Sequence, residues 1–194
     1  MDIPKLTVVT EQGRSRVLST FLLSFSTDFL MRWFYPDAND YVNCIPGFDA
    51  FCGGAIDHGS AYRSGNFEGA AMWFPPGFGP DEEKVAGFLE RTIRSEILED
   101  VFLVFEAIGN YHPTEPCWYL SVIGVDPAYQ GRGIGAALMK HSLLRPDEEG
   151  IPSYLESSNP RNISFYERHG FQIMGEIQIG SSPTITPMIR SVGA

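Results

Sequence analysis

The nine residues from Cys117 to Val125, "CWYLSVIGV", carry no charge and lead within a few positions to "GRGIGAALMK", with glycines at 131, 133 and 135. An apolar run of this length reads as a strand buried on both faces. A glycine-rich turn from such a strand into a helix commits the chain to a mixed α/β layering. It also makes an anion site, because helix-start amides have no partner within the helix and point outward with the dipole behind them. Glycine lets the backbone turn sharply and approach a ligand closely.

The flanking pattern agrees with one α/β domain. Lys5–Thr10, Ser60–Arg63, Gly69–Phe74, "SYLESS", Phe171–Ile179 and Thr184–Ile189 read as strands. Apolar residues at Val17, Leu18, Phe21, Leu22, Phe25, Phe29 and Leu30 predict one helix over Ser15–Phe34. Tyr35–Gly59 is broken by prolines and glycine, with a short helix in Phe48–Ile56. Asp81, Glu82 and Glu83 open a helix that runs, broken once, to Ile108. Further helices are expected over Ile134–Leu144 and Arg161–His169, the latter ended by Gly170.

Charge narrows the partners. A net charge of −10 argues against nucleic acid, whose affinity rests on Lys and Arg meeting phosphates. The whole acidic excess lies in residues 1–129, while 130–194 balance, which suits an anion in the second half and a cation in the first, or else a solvated acidic surface kept for solubility. No apolar stretch approaches the length of a membrane span, and no secretory leader is evident. Three cysteines without a CxxC pair suit a reducing compartment and no zinc ribbon. The cytoplasm is the expected location, with no membrane, nucleic acid or metal among the partners.

Two readings of the glycines compete. Gly131–Ala136 matches G-x-G-x-x-[G/A], and Glu156 lies where the ribose-binding acid of a dinucleotide fold belongs. That fold, an oxidoreductase's, needs more strand–helix units than the residues after Glu156 supply. The alternative is Q-x-x-G-x-G, formed by Gln130, Gly133 and Gly135. It resembles the acyl-CoA signature of the GCN5-related N-acetyltransferases. A second block, "NPRNISFYERHGF" (Asn159–Phe171), resembles the N-x6-Y-E-x-x-G-F element of the same family, with Asn159, Tyr166, Gly170 and Phe171 in place. Over His112–Phe171 the chain looks closest to the puromycin N-acetyltransferase branch.

The resemblance implies an α/β fold on 1–194, with a mixed, mostly antiparallel sheet splayed at the acyl-CoA strand and flanked by helices. It implies acetyl-CoA as co-substrate and a small-molecule amine as acceptor; a homodimer stays open. The pyrophosphate would meet the backbone amides of Gln130, Gly131, Arg132, Gly133, Ile134, Gly135 and Ala136. The pantetheine arm would pair with Ile123, Gly124 and Val125, and would also meet Asn162, Tyr166 and Asn159, the last of which suits a helix N-cap or turn equally well. Family members bulge this strand, so the Ile123 (or Val122) N–H would stabilise the oxyanion. Gly124 fits such an irregularity, or else close packing against a neighbour. Tyr166 would protonate the departing thiolate as general acid.

No general base is carried over, because the family's strand positions hold Tyr119 and Ser121 here. Strict alternation puts Tyr119, Ser121 and Ile123 on one face. Asp28, Glu68 and Glu115 are candidates by location, His112 and His141 weaker ones, and a water chain to bulk is the alternative. Phe29, Trp33, Phe34, Tyr35, Trp73 and Phe74 are expected around the acceptor. A non-catalytic acyl-CoA sensor remains the competing reading.

Overall fold

A computed structural model describes residues 5–193. The chain runs β1 (Leu6–Val8), α1 (Arg14–Ser24), α2 (Phe29–Phe34), α3 (Ala38–Val42), α4 (Ile45–Cys52), α5 (Gly54–Asp57), β2 (Ala61–Ser64) and β3 (Gly69–Phe74). It continues through α6 (Glu82–Thr92), α7 (Ser95–Tyr111), β4 (Trp118–Val125), α8 (Ile134–Ser142), α9 (Leu144–Glu149), β5 (Ser153–Ser157), α10 (Ile163–Glu167), β6 (Gln172–Ile173) and β7 (Thr186–Arg190). The seven strands form one sheet in the order β1-β2-β3-β4-β5-β7-β6. Among the described strands only β4 and β5 pair in parallel; the other pairs are antiparallel.

Helices cover both faces, as the apolar β3 and β4 require. On one face Phe21, Phe48, Cys52, Val101 and Val122 join α1, α4 and α7 to the sheet. On the other, Leu138 and Met139 of α8 and Tyr166 of α10 pack on Trp118, Leu120 and Leu155. This mixed sheet is not the doubly wound parallel sheet of a dinucleotide fold, and Glu156 lies within it rather than beyond it.

Several expected elements are divided differently. The helix expected over Ser15–Phe34 breaks in two because Asp28 caps a new start, its Oδ1 accepting from Leu30 N at 3.0 Å and Met31 N at 3.1 Å. The second half of the chain gains α9, set off from α8 at Leu143. The strand expected over Phe171–Ile179 is only Gln172–Ile173, plus an isolated bridge between Ile177 and Ile185.

The largest departure is in β4. Met72 faces Val122 while Trp73 faces Leu120, so Ser121 is an extra residue, a β-bulge. A bulge reverses the alternation beyond it. Tyr119 packs with Phe74 and Tyr154, Val122 packs on the α1 side, and Ile123 turns to the α8 side. Ile123 therefore does not share a face with Tyr119. The irregularity falls at Ser121, not at Gly124.

Gly124 serves close packing instead. A Cβ there would come 2.9 Å from Ser24 Cβ and 3.3 Å from Phe21 Cδ1, both on α1. Gly124→Ala is expected to cost about 1–2 kcal/mol, because overpacking outweighs the entropy gained in the unfolded chain. A urea unfolding curve with a lowered midpoint and unchanged slope checks this.

Candidate active site

The sheet opens at the bulge. β4 and β5 pair only from Trp118–Leu120 to Ser153–Leu155. Beyond that, Ile123–Val125 stay with β3, while Glu156 and Ser157 stay with β7. The gap is walled by Ser121, Val122 and Ile123 on one side and by Ser157, Ser158, Asn162 and Tyr166 on the other. It continues into a cavity of about 160 Å³ whose inner walls are largely aromatic.

At the far end of β4 the glycine loop is built as a helix-start cradle. Gly131 and Gly133 take φ of +73° and +82°, the left-handed region, and a Cβ at either would touch nothing within 4 Å. Their requirement is conformational. Gln130 fixes the loop to the strand, its Nε2 donating to Val125 O at 3.0 Å. The Arg132 guanidinium donates to Ala128 O at 3.0 Å and lies 5.1 Å from the Tyr129 ring centre. Gly133 is the N-cap of α8, so the amides of Ile134, Gly135 and Ala136 belong to the open first turn.

Tyr166 is buried and lines the cavity. Among the described residues its hydroxyl has no hydrogen-bond partner. Burial raises its pKa, and the nearby Asp28 raises it further, so the phenol keeps its proton. Asn162 lines the same gap. Asn159 caps the turn that follows it, its Oδ1 accepting from Arg161 N at 3.1 Å.

The carboxylate candidates separate clearly. Asp28 lines the cavity and burial raises its pKa, but both oxygens are already engaged: Oδ1 by the α2 cap and Oδ2 by the Ser158 hydroxyl at 2.7 Å. Glu68 accepts from Asn66 N and Ser64 Oγ in the β2–β3 turn, away from the gap. Glu115 and His112 line a second cavity of about 1040 Å³, which Glu156 borders as well. His141 packs edge-on against Tyr62. Of the expected acceptor aromatics, Phe34 and Tyr35 line the inner cavity. Trp73 is buried on the α8 face, Phe74 packs with Tyr119 and Tyr154, and Phe29 is exposed. Trp33 donates from its indole to Ser181 Oγ at 3.0 Å.

Glu156, which the sequence offers only as the acid of a dinucleotide fold, lies beside this gap. It borders both cavities. Its Oε2 accepts from Tyr119 Oη at 2.9 Å, while Oε1 and Tyr154 Oη are buried without a hydrogen bond of proper geometry. Some of the residue is solvent-accessible, although Oε1 itself is buried. Burial pushes that carboxyl up to about 7, against the opposing hydrogen bonds of the two tyrosines. In the unfolded chain it ionises near 4.5. As pH rises from 4.5 the unfolded chain therefore loses its proton first, and folding stability falls until the folded carboxyl ionises near 7. The loss is about 3 kcal/mol. Glu156→Gln removes it, so the variant is expected to gain stability on wild type between pH 5 and pH 8. Urea unfolding at both values checks this.

A glycine turn at a helix start thus lies beside a forked sheet, with a phenol lining the fork. Residues 51–171 match the Acetyltransferase (GNAT) family, well over half of the chain, and the chain belongs to that family. It is 30% identical over 128 residues to an uncharacterized N-acetyltransferase of Schizosaccharomyces pombe, covering 60% of this chain and 52% of that protein. It is 37% identical over 65 residues to the mycothiol acetyltransferase of Propionibacterium freudenreichii, covering 32% of this chain and 20% of that protein. The chain thus spans about half or less of the length of these curated relatives.

Solved structures share the fold. An acetyltransferase of Corynebacterium glutamicum, described as histone acetyltransferase HPA2 and related acetyltransferase, superposes with a TM-score of 0.70 at 20% identity, covering 100% of this chain and 98% of that one. The polyamine N-acetyltransferase of Drosophila melanogaster superposes with a TM-score of 0.66 at 14% identity, covering 98% and 100%. Among the described residues no helix is long and apolar enough to cross a membrane, and no group of three or more His, Cys, Asp or Glu is placed to hold a metal ion.

Proposed function

We propose that this protein transfers the acetyl group of acetyl-CoA directly to the amine of a small, positively charged molecule. The observation that carries this reading is the fork between β4 and β5, with the glycine cradle at one end and Tyr166 lining it. The pyrophosphate sits on the amides of Gln130–Ala136, whose affinity for anions needs no net positive protein. The pantetheine arm extends along Ile123–Val125 as an added strand, reaching Asn162. The backbone N–H of Ile123, just past the bulge, faces the oxyanion formed as the amine attacks. Tyr166 then gives its proton to the coenzyme A sulfur.

The acidic first half of the chain supports a cationic acceptor, since residues 1–129 hold the whole negative excess. A relative named as a mycothiol acetyltransferase, and a fold neighbour named as a polyamine N-acetyltransferase, support transfer to an amine. The test is thiol release from acetyl-CoA across 2-phenylethylamine, tryptamine, agmatine, glucosamine and puromycin. Turnover with at least one is expected. Acetyl-CoA binding without turnover of any amine favours a sensor and overturns this reading.

A further inference from the structure

The molecule offers two carboxylates beside the fork, and only one of them has unused capacity. Asp28 spends Oδ1 on the α2 cap and Oδ2 on Ser158. Glu156 accepts one well-formed hydrogen bond, from Tyr119, while Oε1 is buried with the Tyr154 hydroxyl near it but outside hydrogen-bond geometry. A buried carboxylate oxygen without a donor is costly, and an ammonium brought to it supplies the missing donors.

Position matters as much as valence. Glu156 is the first β5 residue past the pairing with β4, so it stands at the crotch of the fork. Its partner Tyr119 packs with Phe74 and Tyr154, away from the α8 layer. Tyr166 belongs to the α8 layer. Carboxyl and phenol therefore approach the fork from opposite faces of the sheet. Glu156 also borders the larger cavity, which runs past the Pro76–Pro80 loop and the Pro113–Cys117 segment.

We infer that Glu156 receives the acceptor's ammonium from the larger cavity and takes its proton, so that the free amine attacks the thioester at the fork. The inference rests on the acetyltransferase reading above and adds the residue that activates the acceptor. The ammonium gives one proton to the Glu156 carboxylate. Its nitrogen lone pair forms the C–N bond, the C–S bond breaks, and the electron pair leaves on sulfur. The amine's second proton, lost as the adduct collapses, balances the proton that Tyr166 delivers to sulfur. Overall, acetyl-CoA and an ammonium yield the amide, coenzyme A and one proton.

The groups facing Glu156 are known. They are the hydroxyls of Tyr119 and Tyr154, the Cys117 thiol on β4's approach, and Glu115 and Glu82 across the larger cavity; Asp28 and Tyr166 lie across the smaller one. His112 packs edge-on to Tyr119 and tilted against Tyr154, with ring centres 5.4 Å and 4.9 Å away. The tyrosine hydrogen bonds favour the carboxylate, so their removal moves its titration upward.

The experiment is the pH profile of kcat/KM for wild type, Glu156→Gln and Tyr119→Phe, using amines from the same panel. Glu156→Gln is expected to lose about 10²–10⁴-fold at pH 7. Its remaining rate should climb about tenfold per pH unit as solvent removes the ammonium proton. Tyr119→Phe should move the acidic limb up by about one pH unit, the size of one hydrogen bond to a charged group. Acetyl-CoA affinity by calorimetry should stay that of wild type in both.

A Glu156→Gln profile parallel to wild type at every pH, or an undiminished rate, overturns the inference. If wild type acetylates none of the amines, the acetyltransferase reading fails separately. In that case ¹³C NMR of the Glu156 carboxyl, with coenzyme A and 2-phenylethylamine added, still decides. A line that titrates near neutrality and moves with the amine supports the assignment; one in the ordinary carboxylate range and indifferent to the amine overturns it.

Discussion

Tyr166→Phe is expected to lower kcat for amine acetylation about a hundredfold while acetyl-CoA affinity stays within a factor of two. General acids contribute roughly 10²–10⁴-fold, and the low end applies because a thiol ionises near pH 8.5 and leaves tolerably without help. The loss appears in kcat because the phenol acts only once sulfur carries the developing charge. Phe fills the same buried space and removes one oxygen that has no partner in the protein, so folding is spared. Stopped reactions with saturating acetyl-CoA measure the rate, and calorimetry measures the affinity. A Phe variant with full turnover would remove Tyr166 from the chemistry, whatever its place in the fork.

The second large effect concerns the cradle. Gly133→Val places a β-branched side chain at φ +82°, where nothing in the protein blocks it but its own backbone does. The strain, about 1–2 kcal/mol, rotates the amides that open α8 and loosens charge-assisted hydrogen bonds worth roughly 1.5–3 kcal/mol each. Acetyl-CoA affinity should fall about a hundredfold, the equivalent of about 3 kcal/mol. Gly135→Ala separates ligand from fold. Its added carbon would meet Val125 at 3.7 Å and Phe165 at 3.8 Å, ordinary contacts. Stability should therefore hold while a ligand seated on the loop is crowded. Unchanged affinity in both variants would move the pyrophosphate elsewhere.

Family, fold class and cradle were legible in the sequence because each depends on short-range features. The run Cys117–Val125 is apolar whatever surrounds it. Glycines at 131 and 133 announce a backbone that other residues adopt only with strain, and the structure gives both a positive φ. Tyr166 is marked by the fixed spacing of its motif, not by surroundings that a sequence displays.

What escaped reading depended on registry between strands. A single extra residue at Ser121 turns Ile123 away from Tyr119, and no local pattern marks it. Glu156 was visible only as an acid at a given distance from the glycines. A signal existed, a lone carboxylate in a short apolar strand between Leu155 and the small residues Ser157 and Ser158. Yet nothing local sets it apart from Asp28, Glu68 and Glu115, because which carboxylate borders the fork depends on where β4 and β5 stop pairing.

By itself the chain's order of residues determined which segments bury, where the backbone must bend past ordinary angles, and which family signature sits across the bend. Only the folded molecule decided where two neighbouring strands part company and which acid is left at their parting with an unsatisfied oxygen. The physical reason is range. Burial and dihedral preference are set within a few residues, whereas the pairing register of β3, β4, β5 and β7 is settled by packing among residues far apart in sequence.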